Sequence, residues 1–351
     1  LDTSILKFNL DTYAYVWPRD ASLTALSLDM AGYSSFTNKY YDFLFNKLFT
    51  EEGYLYQKYN VDGTYGSTWH PWTSKTKNSL NIQEDETSTS LYAYYVHFLQ
   101  TKDYDSLRDY YETIENAANF LSEFIDEKLK LPLMSYDLWE EKLGVHTYTV
   151  SSVIAGLRAA SLLAKYLGDW NNEEKWGRIY KDMAKSLTEY MFDKDRKVYY
   201  KSIIIDDGKV VEYDKTIDSS IMGVSVFDVL DPNDETVVSS INKIKEALWV
   251  NTTGGLARYE NDYYQRLQGN YENIPGNPWI ITTMWLAQYY IKINKLDEAK
   301  KLIKWVEGVS TPTGLLPEQI SPFDGSPVSV TPLLWSHAEL LKTYVNLMNN
   351  Q

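Results

Sequence analysis

Residues 148–168, YTVSSVIAGLRAASLLAKYLG, are apolar or small around almost the whole circumference of a helix. A helix without a polar face has to be enclosed on every side. The stretches 21–32 (ASLTALSLDMAG), 90–100 (SLYAYYVHFLQ) and 279–293 (WIITTMWLAQYYIKI) share that character. Between them lie charged, one-sided helices such as 105–129 (DSLRDYYETIENAANFLSEFIDEKL) and 172–192 (NEEKWGRIYKDMAKSLTEYMF), whose apolar stripe needs cover on one face only. The first kind is therefore inner and the second outer. Inner helices are predicted to begin near Asp20, Glu86, His146, Ser219, Pro278 and Thr331, a spacing of roughly 60 residues that marks a repeat architecture. With about eleven helices in all, the expected fold class is all-α, an (α/α)6 toroid forming one domain over residues 1–351. No linker rich in Pro, Gly or Ser divides it. The first outer helix is the one missing from the count and is expected upstream of Leu1. Residues 197–214, KVYYKSIIIDDGKVVEYD, read as a β-hairpin turning at Asp-Gly.

Composition narrows the function. The net charge of -14 opposes a phosphate backbone and an anionic membrane surface, so neither nucleic acid nor membrane is an expected partner, while self-association into a homo-oligomer is left open. The first residues, LDTSILKFNL, lack the basic-then-apolar plan of a signal peptide, and the expectation leans toward the cytoplasm. Cysteine is absent and the four His are scattered, so no metal site and no cofactor are expected. Thirty Tyr and eleven Trp are more polar-edged ring than packing demands, and such rings suit concave surfaces that hold hydroxylated ligands.

Alternating inner and outer helices gathers the loops that enter inner helices at one mouth. Aromatic and acidic residues concentrate in those loops: YAYVWPRD (13–20), YDLWEE (136–141), GNPW (276–279) and LLPEQ (315–319). Two carboxyls across a sugar ring suffice to hydrolyse a glycosidic bond, with no metal, nucleotide or thiol. The bland alternative for Asp137, Glu140 and Glu141 is that acids in a first helical turn complement the helix dipole.

The four motifs, in this order and at these separations, resemble the glucoamylase and glucodextranase family of inverting exo-acting α-glucosidases, and YQKYNVDGTYGSTWHPW (56–72) is similar to its prokaryotic and archaeal branch. In that branch a β-sandwich and the first barrel helix precede the YVWPRD segment. The resemblance implies Glu140 as general acid and Glu318 as general base. It also implies that Tyr13 helps hold the attacking water and that Arg19 and Asp20 grip the terminal glucose. Arg258 is implied as a second substrate arginine, with Trp17, Trp139 and Trp279 as pocket walls. Asp137 and Glu141 are expected to bind sugar hydroxyls or tune the acid's proton. Trp69, His70 and Trp72 are expected at the entrance, and Asp85 and Glu86 facing it. The implied substrate is an α-1,4-linked oligosaccharide or starch-like glucan cut from its non-reducing end. Trehalose or an α-1,6 linkage on the same fold is the alternative, and a sugar-binding toroid without turnover is the alternative class.

Overall fold

The computed structural model describes residues 13–71 and 79–350. In chain order the helices are α1 (Pro18–Met30), α2 (Ser34–Phe43), α3 (Glu84–Thr101), α4 (Tyr104–Glu123), α5 (Thr147–Leu167), α6 (Trp170–Met191), α7 (Gly223–Val226), α8 (Glu235–Leu248), α9 (Ile280–Lys292), α10 (Leu296–Val309) and α11 (Leu334–Asn349). The strands are short: β1 (Ser135–Tyr136), β2 (Leu143–His146), β3 (Phe192–Asp193), β4 (Val198–Tyr199), β5 (Ser202–Asp206), β6 (Lys209–Asp214), β7 (Leu256–Ala257), β8 (Pro278–Trp279), β9 (Gln319–Ile320) and β10 (Pro327–Val328). All six predicted inner starts fall within a few residues of an observed helical start.

The described chain divides into two compact units. One runs up to Met191 and adds Ser202–Tyr213; the other takes Phe192–Lys201 and everything from Asp214 onward.

In the first unit α3 packs between α1 and α5, and each inner helix carries an outer one: α2 on α1, α4 on α3, α6 on α5. Small polar residues let the inner helices approach closely. The hydroxyls of Ser22 and Ser90 are 2.9 Å apart, and Ser88 donates to Ser152 at 2.7 Å. A Cβ at Gly156 would lie 2.7 Å from the carbonyl oxygen of Ser88. That contact explains the small residues of the 148–168 stretch. Helix α5 is long and apolar enough to cross a membrane, yet 72% of that stretch is buried in the protein, the signature of a core helix. It ends at Gly168, whose φ of +78° forms the left-handed cap. Helix α4 starts where the Asp103 carboxylate accepts the N–H groups of Asp105 and Ser106, both at 3.1 Å.

The hairpin predicted at 197–214 forms as β5 and β6, turning at Asp207 and Gly208 with φ of +46° and +69°. It does not stand alone. β5 pairs with β2, so one sheet runs in the order β1-β2-β5-β6, while Val198–Tyr199 separates to pair with β3.

In the second unit α9 packs against α10 and α11, and a sheet in the order β10-β9-β8-β7 fastens the loops that lead into α9 and α11. The fourth predicted inner helix is shorter than expected. Asp218 caps it, but Ser219–Met222 form a 3-10 turn and α7 adds only four residues before Asp228 turns the chain at φ +51°. Ser, Gly and Val are weak helix formers, and the run SSIMGVSV holds little else.

Candidate active site

The acids of the 136–141 motif do not lie in the first turn of a helix. β1 and β2 pair antiparallel, Tyr136 opposite Leu143, and residues 137–142 form the connecting turn. The acids therefore owe nothing to the α5 dipole, whose first turn contains no acid. Asp137 builds the turn. Its Oδ1 accepts the N–H groups of Glu141 and Lys142 at 2.8 and 2.9 Å, and its carbonyl accepts the N–H of Glu140 at 2.8 Å. Asp137 was expected to bind sugar hydroxyls or tune the acid's proton; its carboxylate is buried and its Oδ1 is engaged with its own loop. Glu140 occupies the apex at φ +65°, Trp139 beside it is buried, and the Glu141 side chain is exposed.

Burial pushes the Glu140 carboxyl up to about 8; the charge of Asp20 adds to this, while Arg19, Lys58 and a hydrogen bond from Gln57 oppose it. Gln57 donates from Nε2 to Glu140 Oε2 at 2.6 Å. Lys58 Nζ sits 3.8 Å from the ring centre of Trp69, 4.6 Å from Tyr15 and 5.3 Å from Trp17. Neither Gln57 nor Lys58 carries a role in the sequence reading, although YQKYNVDG lies in the branch-specific motif.

Arg19 enters from the first turn of α1, where Pro18 suits the opening position. Its guanidinium meets Asp20 and Asp85 at 3.0 Å each and Glu86 at 3.4 Å, and its backbone N–H donates to Glu86. The side chain of Asp20 is 28% exposed, those of Asp85 and Glu86 not at all. Asp20 is thus the carboxylate of this group that can meet a ligand, and Asp85, expected to face one, lies behind the guanidinium and holds it. Burial raises the Asp85 carboxyl, and raises Glu86 well above its ordinary range, with Arg19 opposing in both. Tyr13 and Trp69 are exposed, and Trp17 links them, with ring centres 6.0 and 6.2 Å from theirs. His70 was expected to help shape the entrance. It is buried, stacked 3.8 Å from Tyr136, and burial lowers it to about 4. Trp72 lies outside the described residues. Among the described residues no three His, Cys, Asp or Glu side chains gather as metal ligands.

The second unit assembles its own group. The strand pairs Leu256 opposite Trp279 and Trp279 opposite Gln319 bring together Arg258, just after β7, Trp279 in β8 and Glu318, just before β9. Arg258, expected to bind substrate, is buried in a two-pronged pair with Asp262, Nε to Oδ2 at 2.9 Å and Nη2 to Oδ1 at 2.8 Å. Its guanidinium lies about 5 Å from the ring centres of Tyr264 and Trp279, at 5.0 and 5.1 Å. Glu318 is nearly buried, and its Oε2 accepts from Gln319 Nε2 at 3.1 Å. Gln319 in turn accepts from Asn277 at 2.8 Å, and Asn277 accepts from the Tyr271 hydroxyl at 2.6 Å. The GNPW motif thereby supports the residue after Glu318, which its spacing alone does not reveal.

Several known proteins are similar to this chain. An uncharacterized glycosyl hydrolase of Methanocaldococcus jannaschii is 32% identical over 94% of this chain and 50% of its own length. Trehalase 2 of Sulfolobus acidocaldarius is 25% identical over 88% of this chain and 52% of its own length. The chain thus spans about half the length of these curated relatives. A bacterial glucoamylase structure in complex with acarbose matches with a TM-score of 0.78 at 21% identity, covering 96% of this chain and 49% of that one. The fold class is accordingly the all-α, (α/α)6 class of the glucoamylases. The family model described as glycosyl hydrolases family 15 matches residues 6–304, and the chain belongs to that family.

Proposed function

We propose that the chain carries the catalytic centre of an inverting, exo-acting α-glucosidase that releases glucose from the non-reducing ends of α-1,4-linked oligosaccharides. The observation that carries this reading is Glu140 set at the apex of a turn that Asp137 braces and hydrogen-bonded by the buried Gln57, with burial pushing its carboxyl up to about 8. A neutral carboxyl at working pH is what a general acid requires. Glu140 protonates the leaving oxygen, and Glu318 takes a proton from the attacking water. Arg19 and Asp20 hold adjacent hydroxyls of the terminal glucose, a planar donor fork beside an acceptor. The partner is a sugar chain; neither nucleic acid nor membrane enters this reading.

Two curated relatives of Sulfolobus acidocaldarius are named trehalases, which favours trehalose as the second reading. Glucose release from maltotetraose and trehalose, measured side by side, separates the two. Proton NMR of an early time course is expected to show β-glucose before α-glucose, because water enters opposite the leaving oxygen. α-Glucose appearing first ends the inverting assignment, and no glucose from either sugar ends both readings.

A further inference from the structure

Gln57 is 2% exposed, and its side chain bridges two segments. One end of the amide accepts the backbone N–H of Trp69 at 3.1 Å and the hydroxyl of Thr68 at 3.0 Å. A backbone N–H only donates, so that end is the oxygen and the NH2 is necessarily turned toward Glu140. An amide N–H also only donates, so Glu140 Oε2 accepts, a role that the carbonyl oxygen of a carboxyl fills better than its hydroxyl oxygen. Oε1 has no hydrogen-bond partner among the described residues.

We propose that Gln57 is a positioning residue that fixes the proton of the neutral Glu140 carboxyl on Oε1, so that a single O–H orientation is offered to the glycosidic oxygen. This inference rests on Glu140 being the general acid. Orienting the proton before the sugar arrives avoids a rotation of the carboxyl during bond cleavage. Three charges also face this carboxyl: Arg19 and Asp20 from α1, and Lys58 beside Gln57. Arg19 and Lys58 favour the carboxylate and Asp20 disfavours it, as does burial. The Gln57 bond favours the carboxylate too, so removing it moves the titration of Glu140 upward.

Gln57→Leu and Gln57→Glu are compared with Glu140→Gln, measuring kcat and KM across pH on whichever of maltose and trehalose the parent cleaves, and on α-glucosyl fluoride. Fluoride leaves with little protonation and reads everything except the proton. Gln57→Leu is expected to lose about 10- to 100-fold in kcat on the disaccharide at unchanged KM, to keep most activity on the fluoride, and to shift the alkaline limb up by about one to two pH units. Gln57→Glu restores a donor once its own carboxyl is protonated, so its disaccharide activity is expected to recover at low pH. Equal loss on both substrates with an unmoved alkaline limb overturns the proposal and leaves Gln57 a packing residue. If the Leu variant does not fold, absence of low-pH recovery in the Glu variant overturns it by itself. Parent-like disaccharide cleavage by Glu140→Gln removes the general-acid reading and this inference together. Loss confined to the disaccharide in Glu140→Gln, with both Gln57 variants behaving as the parent, removes only the inference.

Discussion

Glu140 holds φ +65°, where a Cβ crowds the neighbouring carbonyl at a cost of about 1–2 kcal/mol. Asp137 sustains that conformation with one carboxylate oxygen and one carbonyl, and the result is an acid lifted clear of its own strand pair. As the general acid proposed above, it ties the rate to its own titration. The ordinary carboxyl value is 4.5 and burial moves this one to about 8, so the proton-bearing form persists across neutral pH. The alkaline limb of kcat is therefore expected near pH 8, activity falling as pH rises through that value, and an alkaline limb near 5 contradicts the placement of the acid. The aromatic beside Glu140 was legible in the motif and points toward a raised carboxyl. The hydrogen bond from Gln57 was not, because it spans 83 positions and no local pattern records a contact of that range.

Helix α3 opens with Glu84, Asp85 and Glu86, all fully buried. The positive end of the helix dipole favours their ionised forms, but burial prevails, and neither oxygen of Glu84 has a hydrogen-bond partner among the described residues. Burial raises Glu84 well above its ordinary value, with Asp85 adding to it. The folded state then retains a proton that the unfolded state releases above about pH 4.5, so this acid withdraws stability as pH rises. Denaturation midpoints of the parent are expected to fall from pH 5 to 8, and Glu84→Gln, which cannot ionise, is expected to fall less. A second test concerns the contact of α5 on α3. Gly156→Ala drives a methyl into the backbone of Ser88 and is expected to cost about 1–3 kcal/mol in urea unfolding. Gly177→Ala in α6 meets nothing nearer than the Ser161 hydroxyl at 3.4 Å and is expected to be neutral or to stabilise by up to about 1 kcal/mol. Inner helices were legible because enclosure on all sides leaves an unmistakable composition, as at 148–168. The shortening of the fourth was not, since SSIMGVSV is as apolar as a buried helix and differs from one only in propensity.

At the scale of the molecule the chain does not finish one unit before starting the other: it leaves the first at Met191, returns for Ser202–Tyr213, and leaves again. The hairpin itself was legible from its Asp-Gly turn, but its attachment to β2 was not, because strand pairing at a distance is set by which edge lies open. A chain ending at Met191 lacks β5, with Ile203 and Ile205 buried in the whole protein, and leaves that edge of β2 unpaired. It is expected to aggregate on sedimentation, and a soluble, cooperatively melting fragment contradicts the assigned role of the hairpin. The same detour acts as a clock during synthesis. The turn bearing Glu140 leaves the ribosome early, but β5, the strand that braces β2, is completed only at Asp206, about 65 residues later. At about 5–20 residues per second this is a wait of about 3 to 13 seconds, during which the Glu140 turn rides on an open, unbraced ribbon. In that interval the unpaired edge of β2 is open to any other strand, and the nascent chain is most exposed to aggregation.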